Sequence, residues 1–366
     1  MATNGKKLRQ KPEEQFAAEL QALQQESGEQ KPENWALSPA AVVKYILGGT
    51  AADGTEIRPK YIGQRRRIEV AVATLLTDRA LLLVGVPGTG KTWLSEHLAA
   101  AVSGDSTLIV QGTAGLGEEA IRYGWNYAEL IAKGPSEKAL VPSPVMRGMQ
   151  EGKLVRVEEL TRMPSDVQDN LITILSEKIL PIPELDELIP ASPGFNVIAT
   201  ANDRDKGVNE LSSALRRRFN RVQLPLPETF EEEVKIVQER VSALMPAIPQ
   251  PNVPTALEEV ERLVTIFREL REGTTLDGKR KLNKPRSTLS TAEIISVMQN
   301  GLALSGWFGD GTLRPTDLAP TLEGAIVKDS TTDEGPWQEY IETVMKERKD
   351  WKSYYEALTQ SNADGA

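Results

Sequence analysis

Between residues 61 and 227, short apolar runs alternate with stretches of helical periodicity. The apolar runs predict five strands, at residues 80–84, 108–111, 154–157, 196–200 and 221–224. The periodicity predicts helices at residues 62–77, 91–102 and 164–175, with a partly helical segment at residues 112–152. Short buried strands that alternate with helices are typical of a parallel sheet covered on both faces. We therefore predict an α/β core with a five-stranded parallel sheet flanked by helices.

The pattern changes after Pro225 and Pro227, where amphipathic helices replace the strand-like runs. Helical periodicity covers residues 230–244, 255–272 and 287–304. We predict an all-helical domain at residues 228–330 and a helical extension at residues 331–366, which carries Trp337, Trp351, Tyr354 and Tyr355.

The first 60 residues precede the predicted core at residues 61–227. Residues 1–34 are rich in Glu, Gln and Lys, and we interpret them as a helical or flexible arm. Residues 35–60 are predicted to form a short helix and a linker. Ser38 is placed to cap that helix, and Pro39 suits its first position.

Composition narrows the class of protein. The 366 residues are 40% hydrophobic and 26% charged, which is a globular mix with room for more than one domain. The absence of cysteine excludes disulfides and thiolate sites, and the single histidine, His97, excludes a multi-histidine metal site. No secretory h-region and no apolar run of about 20 residues is visible, so we expect a cytoplasmic protein. A net charge of −9 gives no general basis for binding nucleic acid, although local basic patches could exist.

Residues 85–92, with the sequence GVPGTGKT, follow a predicted strand and precede a predicted helix. The spacing is that of a P-loop, in which backbone N–H groups and the start of the helix surround phosphate oxygens. The lysine then neutralises β- and γ-phosphate charge, and the threonine hydroxyl ligates Mg²⁺. A Gly-rich turn without function is the alternative. The nucleotide-binding candidates here are Gly85, Pro87, Gly88, Thr89, Gly90, Lys91, Thr92 and Trp93, although helix packing is the simpler explanation for Trp93.

Two later strands end in candidate catalytic groups. Glu158 and Glu159 follow residues 154–157, and Asn202 follows residues 196–200. In an α/β sheet these strand ends lie at the mouth of the fold, beside the P-loop. One carboxylate could hold Mg²⁺ through water, the next could orient or deprotonate the attacking water, and the amide could hold that water. The alternatives are a charged loop edge and a simple Asn–Asp turn.

An arginine run, Arg216 to Arg218, lies between Leu215 and Phe219. It could be a solvated helix end. It could also reach the γ-phosphate of a nucleotide bound by a neighbouring subunit, as an arginine finger does.

The order of these motifs resembles that of the AAA+ ATPases, and most closely the MoxR group. The resemblance covers residues 61–306 and rests on YIGQRRRIEVAVATLLTDRALLLVGVPGTGKT, VEELTRMPSDVQDNLITILSEK, FNVIATAND, LSSALRRRF and KPRSTLSTAEII. It implies a P-loop NTPase sheet followed by a helical lid domain. The roles it implies are Walker A for Lys91 and Thr92, Walker B for Glu158 and Glu159 with Glu159 catalytic, sensor 1 for Asn202, arginine finger for Arg218 with Arg217 as the next candidate, sensor 2 for Arg286, and adenine-pocket lining for Tyr61, Ile62 and Gly63.

Three positions depart from the pattern of that group. Glu158 stands where the group usually has aspartate, and Lys284 stands where it usually has serine. Arg156 interrupts an otherwise apolar strand, where it could extend to the sheet edge or pair with a carboxylate. None of these departures removes a catalytic group, so we expect hydrolysis to be retained.

Two insertions also fit the MoxR group. Residues 123–133 resemble a loop in the second core helix, and residues 180–195 resemble a hairpin before sensor 1. Such loops would project toward a pore or a client; ordinary surface excursions are the alternative.

The resemblance implies an Mg²⁺-dependent ATPase that works as a hexameric ring and remodels or activates a partner protein. The MoxR group typically acts with proteins that bear a von Willebrand factor A domain, which here would be a separate chain. Two other functions remain open at this point. One is a nucleic-acid-stimulated motor or restriction-type NTPase, and the other is a nucleotide-dependent assembly switch.

Overall fold

The structure is a computed structural model that describes residues 9–28, 31–202, 209–244, 253–254 and 256–364. The chain divides into two compact units, one of residues 10–86 and 90–225 and one that consists mainly of residues 226–366. We call the first the α/β unit and the second the helical unit. Parts of the predicted arm, residues 1–8 and 29–30, lie outside the described residues.

The α/β unit contains all the named strands. They are β1 (Gly49–Thr50), β2 (Glu56–Ile57), β3 (Ala80–Gly85), β4 (Ile109–Gln111), β5 (Tyr123–Trp125), β6 (Leu140–Pro142), β7 (Leu154–Glu158), β8 (Ile179–Ile182), β9 (Glu187–Pro190), β10 (Asn196–Asn202) and β11 (Phe219–Gln223). Its helices are α1 (Pro12–Gln15), α2 (Ala17–Ser27), α3 (Pro39–Leu47), α4 (Arg65–Leu75), α5 (Lys91–Ser103), α6 (Tyr127–Lys133), α7 (Pro144–Glu151), α8 (Ser165–Glu177) and α9 (Ser213–Arg216).

The central sheet has five parallel strands in the order β11-β3-β10-β7-β4. Every residue of β3 and β7 is buried, which is the pattern of strands covered on both faces. Hydrophobic clusters lie on both faces, one including Leu81 and Leu83 and the other Leu82 and Val84. This confirms the predicted five-stranded parallel sheet with flanking helices.

The predicted insertions have definite secondary structure. In one, β5 and β6 pair antiparallel on either side of α6, and in the other β8 and β9 form a hairpin before β10. The hairpin predicted at residues 180–195 is therefore present. The phenolic hydroxyl of Tyr123 donates to Glu184 at 2.7 Å, so the two insertions contact each other.

The N-terminal helices α1 and α2 pack on the α/β unit. Phe16 and Leu23 are buried in the cluster that includes the P-loop helix α5, and the Glu13 carboxylate accepts from the Ser106 hydroxyl at 2.9 Å. Glu19 lies 2.6 Å from the ammonium of Lys60, whose side chain is almost fully buried. The described part of the arm thus contains two helices, α1 and α2, that share the core of the unit.

The helical unit consists of α10 (Phe230–Leu244), α11 (Leu257–Glu272), α12 (Thr291–Phe308), α13 (Pro315–Ile326), α14 (Ser330–Tyr340) and α15 (Lys352–Asp364), with a π-helical turn at Ile341–Met345 and a 3-10 turn at Lys349–Trp351. Trp337, Tyr340 and Tyr354 are buried in the same cluster as Phe267 and Leu302. Side chains between residues 337 and 358 thus share one core with the preceding helices.

Some predicted boundaries were wrong. The helix predicted at residues 62–77 begins at Arg65, because Gly63 has a φ of 153° that no helix accommodates. The helix predicted at residues 287–304 begins at Thr291, because Ser290 and Glu293 form a capping box there. The last strand begins at Phe219, two residues before the predicted start at Arg221. Among the described residues, no helix has the length and apolarity needed to cross a bilayer.

Candidate active site

The P-loop joins β3 to α5 through two glycines in the left-handed region. Gly88 has a φ of 80° and Gly90 a φ of 78°, conformations that residues with a Cβ rarely adopt. The helix begins at the next residue, Lys91, so its first N–H groups lie beside the loop. Gly85, one of the nucleotide-binding candidates, is the last residue of β3. The curvature therefore comes from Gly88 and Gly90.

The Lys91 side chain lies back along the loop that precedes it. Its ammonium donates to the carbonyls of Gly85 at 3.0 Å and Val86 at 2.9 Å. The cation is thus held within a segment that also offers backbone N–H donors, which is the arrangement that binds phosphate groups.

Glu158 ends β7 in a dense set of hydrogen bonds. Its Oε2 accepts from the Thr92 hydroxyl at 3.0 Å and from the Thr200 hydroxyl at 2.7 Å. Its Oε1 accepts from the Arg156 guanidinium at 3.0 Å and also from the Ser95 hydroxyl. The side chain is only 1% exposed. One carboxylate thus links the P-loop helix, β7 and β10.

Glu159 follows in a backbone conformation that is unusual for a residue with a side chain. Its φ is 54°, and its N–H donates to the Thr200 hydroxyl at 2.9 Å. Its carboxylate is partly exposed and lies 3.1 Å from Arg162 Nε. A Cβ at Gly112 would approach the Glu159 carbonyl to 2.3 Å, so only glycine fits at that point. Left-handed backbone at a non-glycine residue costs free energy and often occurs at functional sites.

Asn202 is the last residue of β10 and pairs in register with Gly85, the residue at which β3 becomes the P-loop. In the same sheet, β10 lies between β3 and β7. The structure therefore places the P-loop, Glu158 and Glu159, and Asn202 at the carboxyl end of three adjacent strands. This is the edge at which α/β folds bind ligands.

The two candidate finger arginines have different surroundings. Arg218 is partly buried, and its guanidinium donates to the Ser176 hydroxyl and to the Ala214 carbonyl, both at 2.7 Å. Arg217 is exposed, immediately after α9. Two groups of the same chain thus fix the orientation of Arg218.

Trp93 and the segment Tyr61 to Gly63 are connected through Lys60. The Trp93 indole N–H donates to the Lys60 carbonyl at 2.7 Å, and its ring lies 4.1 Å from the ring of the buried His97. Tyr61 and Ile62 are half-buried, and a Cβ on Gly63 would come within 2.8 Å of the Tyr61 ring. Trp93 therefore packs beside the candidate adenine-pocket segment.

Arg286 belongs to the helical unit, and its side chain is exposed. Its N–H donates to Asp333 at 2.9 Å, and the Ser287 hydroxyl donates to the same carboxylate at 2.6 Å. Burial opposes the charge on Asp333, yet the hydrogen bonds from Ser287, Asp329 and Lys328 lower the pKa of Asp333 to about 2.

Three residues of the site were not predicted from the sequence. They are Ser95, Gly112 and Thr200. Ser95 follows Thr92 by three positions in a helix, so its placement on the same face was a usable signal. Arg156 had been expected to extend to the sheet edge or to pair with a carboxylate, and the second alternative is confirmed by its contact with Glu158.

The oxygen groups present fit Mg²⁺, which prefers hard oxygen ligands and usually combines one or two carboxylates with water and substrate phosphates. Thr92 and Glu158 supply a hydroxyl and a carboxylate 3.0 Å apart, next to the P-loop. Among the described residues, no group of three or more histidine, cysteine, aspartate or glutamate side chains could hold a metal ion.

Comparison with known proteins identifies both units. Residues 80–219 match the model of an AAA domain of the dynein-related subfamily. Residues 231–360 match the model of a YehL-like AAA+ ATPase C-terminal domain.

Relatives and solved structures extend the comparison. The chain is 41% identical over 352 residues to the protein YehL of Escherichia coli (strain K12), covering 93% of this chain and 94% of that protein. It is 30% identical over 170 residues to the protein SH1500 of Staphylococcus haemolyticus, covering 46% of this chain and 64% of that protein. A crystal structure of NtrX from Brucella abortus in complex with ATP aligns with a TM-score of 0.43 at 12% identity, over 83% of this chain and 64% of that one. The chain belongs to the YehL-like family of AAA+ ATPases.

Proposed function

We propose that this protein hydrolyses ATP in an Mg²⁺-dependent reaction and works as a ring of identical subunits. The observation that carries the proposal is the junction of Thr92, Glu158 and Thr200, with Glu159 directly beside it. A site that only bound phosphate would have no need of a second carboxylate held in a strained backbone conformation.

Each group has a task in this reaction. The P-loop N–H groups and Lys91 bind the β- and γ-phosphates, for which Lys91 exchanges a carbonyl of Gly85 or Val86 for a phosphate oxygen. Thr92 and Glu158 would hold Mg²⁺, which neutralises charge on the phosphates when bound. Glu159 accepts a proton from the attacking water, and Asn202 orients that water.

The arginines that follow α9 support the proposal that the subunits form a ring. Arg218, whose guanidinium is oriented by Ser176 and Ala214, is the first candidate for an arginine that reaches a neighbouring subunit, and the exposed Arg217 is the second. An arginine from a neighbouring subunit stabilises charge on the transferring phosphoryl group. Hydrolysis would then depend on assembly, and a hexamer is the assembly we propose.

The resemblance to the MoxR group supports a chaperone-like role. We propose that the ATPase remodels or activates a separate protein, one with a von Willebrand factor A domain being the first candidate. The insertions around α6 and β8–β9 expose Tyr127, Ile131 and Leu188, which suits contact with a client.

The chemistry is tested with Glu159→Gln. This variant should bind ATP with an affinity close to that of the wild type, while its turnover falls by about 10²–10⁴-fold, the usual contribution of a general base. Glu151→Gln, which changes an exposed glutamate at the end of α7, is the matched control and should keep wild-type turnover. Wild-type turnover in Glu159→Gln would rule out Glu159 as the base. A pull-down with Glu159→Gln, which holds ATP, then identifies the client.

A further inference from the structure

Arg156 is a charged residue in the middle of the buried strand β7. Leu154, Val155 and Val157 around it are apolar, and the Arg156 side chain is only 5% exposed. A buried guanidinium is costly unless its N–H groups are paired with acceptors. An aliphatic side chain at this position would avoid the cost of burying a charge, so the presence of an arginine requires an explanation.

Every nitrogen of the Arg156 guanidinium has an acceptor. Nε donates to the Ser95 hydroxyl at 3.2 Å, and Nη1 donates to the Ser106 carbonyl at 3.1 Å. Nη2 donates to Glu158 Oε1 at 3.0 Å and approaches the Thr92 carbonyl at 3.4 Å. The guanidinium is therefore fixed between β7 and the first turns of the P-loop helix α5.

The position of Arg156 relative to Glu158 follows from the strand period. Residues two apart on a strand lie on the same face, so Arg156 extends along that face toward Glu158. Because the guanidinium occupies Oε1, the other oxygen, Oε2, is the one that meets the hydroxyls of Thr92 and Thr200.

We infer that Arg156 is a positioning residue for the Mg²⁺–nucleotide site. Its guanidinium holds the Glu158 carboxylate in the orientation that presents Oε2 to Thr92, and it ties the P-loop helix to β7 at the same point. This inference rests on the proposed ATPase function, because Thr92 and Glu158 are the groups assigned there to Mg²⁺. Groups that orient metal ligands typically change metal affinity by 10–100-fold when they are removed.

The test measures binding without turnover. In full-length Glu159→Gln protein, the affinity for a fluorescent ATP analogue is followed as Mg²⁺ is added from zero. With Arg156→Met, the Mg²⁺ concentration at half-maximal enhancement should rise at least about tenfold. The affinity for the analogue in excess EDTA should stay within about twofold, because Arg156 meets the P-loop helix at the Thr92 carbonyl and the Ser95 hydroxyl, which are not phosphate-binding groups.

Arg271→Met is the matched control. Arg271 also donates to a fully buried carboxylate, Glu233, at 2.7 Å, but in the helical unit. The substitution Arg271→Met should lower the melting temperature without changing the Mg²⁺ concentration at half-maximal enhancement. If Arg156→Met does not fold, Arg156→Lys takes its place, because lysine keeps the charge but cannot reach three separate acceptors in a planar fork. The same shift in the midpoint is expected.

A double-mutant cycle distinguishes a role of Arg156 in orienting Glu158 from a role in core packing alone. In a Glu158→Gln background no carboxylate remains to be oriented, so Arg156→Met should no longer shift the Mg²⁺ midpoint. The double variant should also melt at a higher temperature than Glu158→Gln alone, because it removes a buried charge left without its partner.

Two results would overturn the inference. One is a wild-type Mg²⁺ midpoint in both folded Arg156 variants, and the other is a shift of equal size in the Glu158→Gln background. A third result would contradict the proposed function itself. If the Glu159→Gln protein with Arg156 intact bound the analogue without any response to Mg²⁺, both the proposed ATPase function and the inference that rests on it would be wrong.

Discussion

At the scale of single residues, the hydrogen bonds around Glu158 and Glu159 include hydroxyl groups that the sequence does not single out. Thr200 lies in a buried strand, where a β-branched residue is ordinary. Its hydroxyl nevertheless accepts from the Glu159 N–H and donates to Glu158. The P-loop and the two glutamates could be predicted because their spacing is local, whereas this bridge depends on the register of β10 against β7.

Thr200→Val tests that bridge. Valine has nearly the same shape but leaves the Glu159 N–H without its acceptor and removes one donor from Glu158. We expect a loss of about 1–3 kcal/mol in the free energy of unfolding and a fall in kcat of about tenfold or more. Equilibrium denaturation and steady-state ATPase assays measure the two effects.

Thr200→Ser is the control because it keeps the hydroxyl. It should recover most of the turnover, although the lost methyl group still costs some stability. An unchanged kcat in Thr200→Val would show that the bridge does not serve the reaction.

At the scale of elements, the sequence predicted helices better than it predicted where they begin. Helix α10 matches its predicted range, whereas α12 begins four residues after Ser287. The motif Ser290-x-x-Glu293 signals the true start and could have been used. What the local pattern does not contain is the partner of Ser287, because Asp333 lies 46 residues away in the chain.

Asp333 is the group whose contribution to stability has the best-defined dependence on pH. It is fully buried and accepts from the N–H groups of Arg286, Ser287, Lys328 and Asp329. Its pKa is lowered from 3.8 to about 2, so the unfolded chain binds its proton at a higher pH than the folded protein does. The stabilisation is therefore present above pH 3.8 and is lost as the pH falls toward about 2.

Asp333→Asn should remove this contribution. The asparagine side chain would turn its NH₂ group toward the N–H donors that the carboxylate accepts from. The lost pKa shift corresponds to a decrease of roughly 2 kcal/mol in the free energy of unfolding near neutral pH. The difference between variant and wild type in the free energy of unfolding should shrink as the pH is lowered from 5 to about 2.

Asp310→Asn is the comparison for this experiment. The pKa of Asp310 is also lowered to about 2, mainly by Arg314, but this ion pair is exposed to solvent and screened. Its stability should differ little from that of the wild type at any pH. A pH-independent loss in Asp333→Asn would mean that packing, and not the charge, is what the aspartate supplies.

At the scale of the whole molecule, composition leaves two interpretations of the N-terminal arm open, helical or flexible, and the described part of the arm contains the helices α1 and α2. Its Glu, Gln and Lys content suggests weak structure, but Phe16 and Leu23 supply the buried contacts, and Glu13 and Glu19 bond to Ser106 and Lys60. These partners are distant in sequence, so periodicity alone could not reveal them. The proposed assembly could not be predicted in this way either. In a ring, each chain would supply its arginine to one neighbour and receive an arginine from the other, so no single chain contains a complete site.

Mixing subunits tests that assembly. Arg218→Ala alone should lose about 10³–10⁵-fold in turnover, and Lys91→Ala alone should be inactive because it lacks the phosphate-binding ammonium. In mixed rings, an Arg218→Ala subunit keeps Lys91 and can receive Arg218 from a neighbouring Lys91→Ala subunit. Random mixing in equal amounts would complete about a quarter of the sites, so activity should return to a corresponding fraction of wild type. The same mixture made with Arg217→Ala shows which arginine crosses the interface, and no recovery with either arginine would contradict a site shared between subunits.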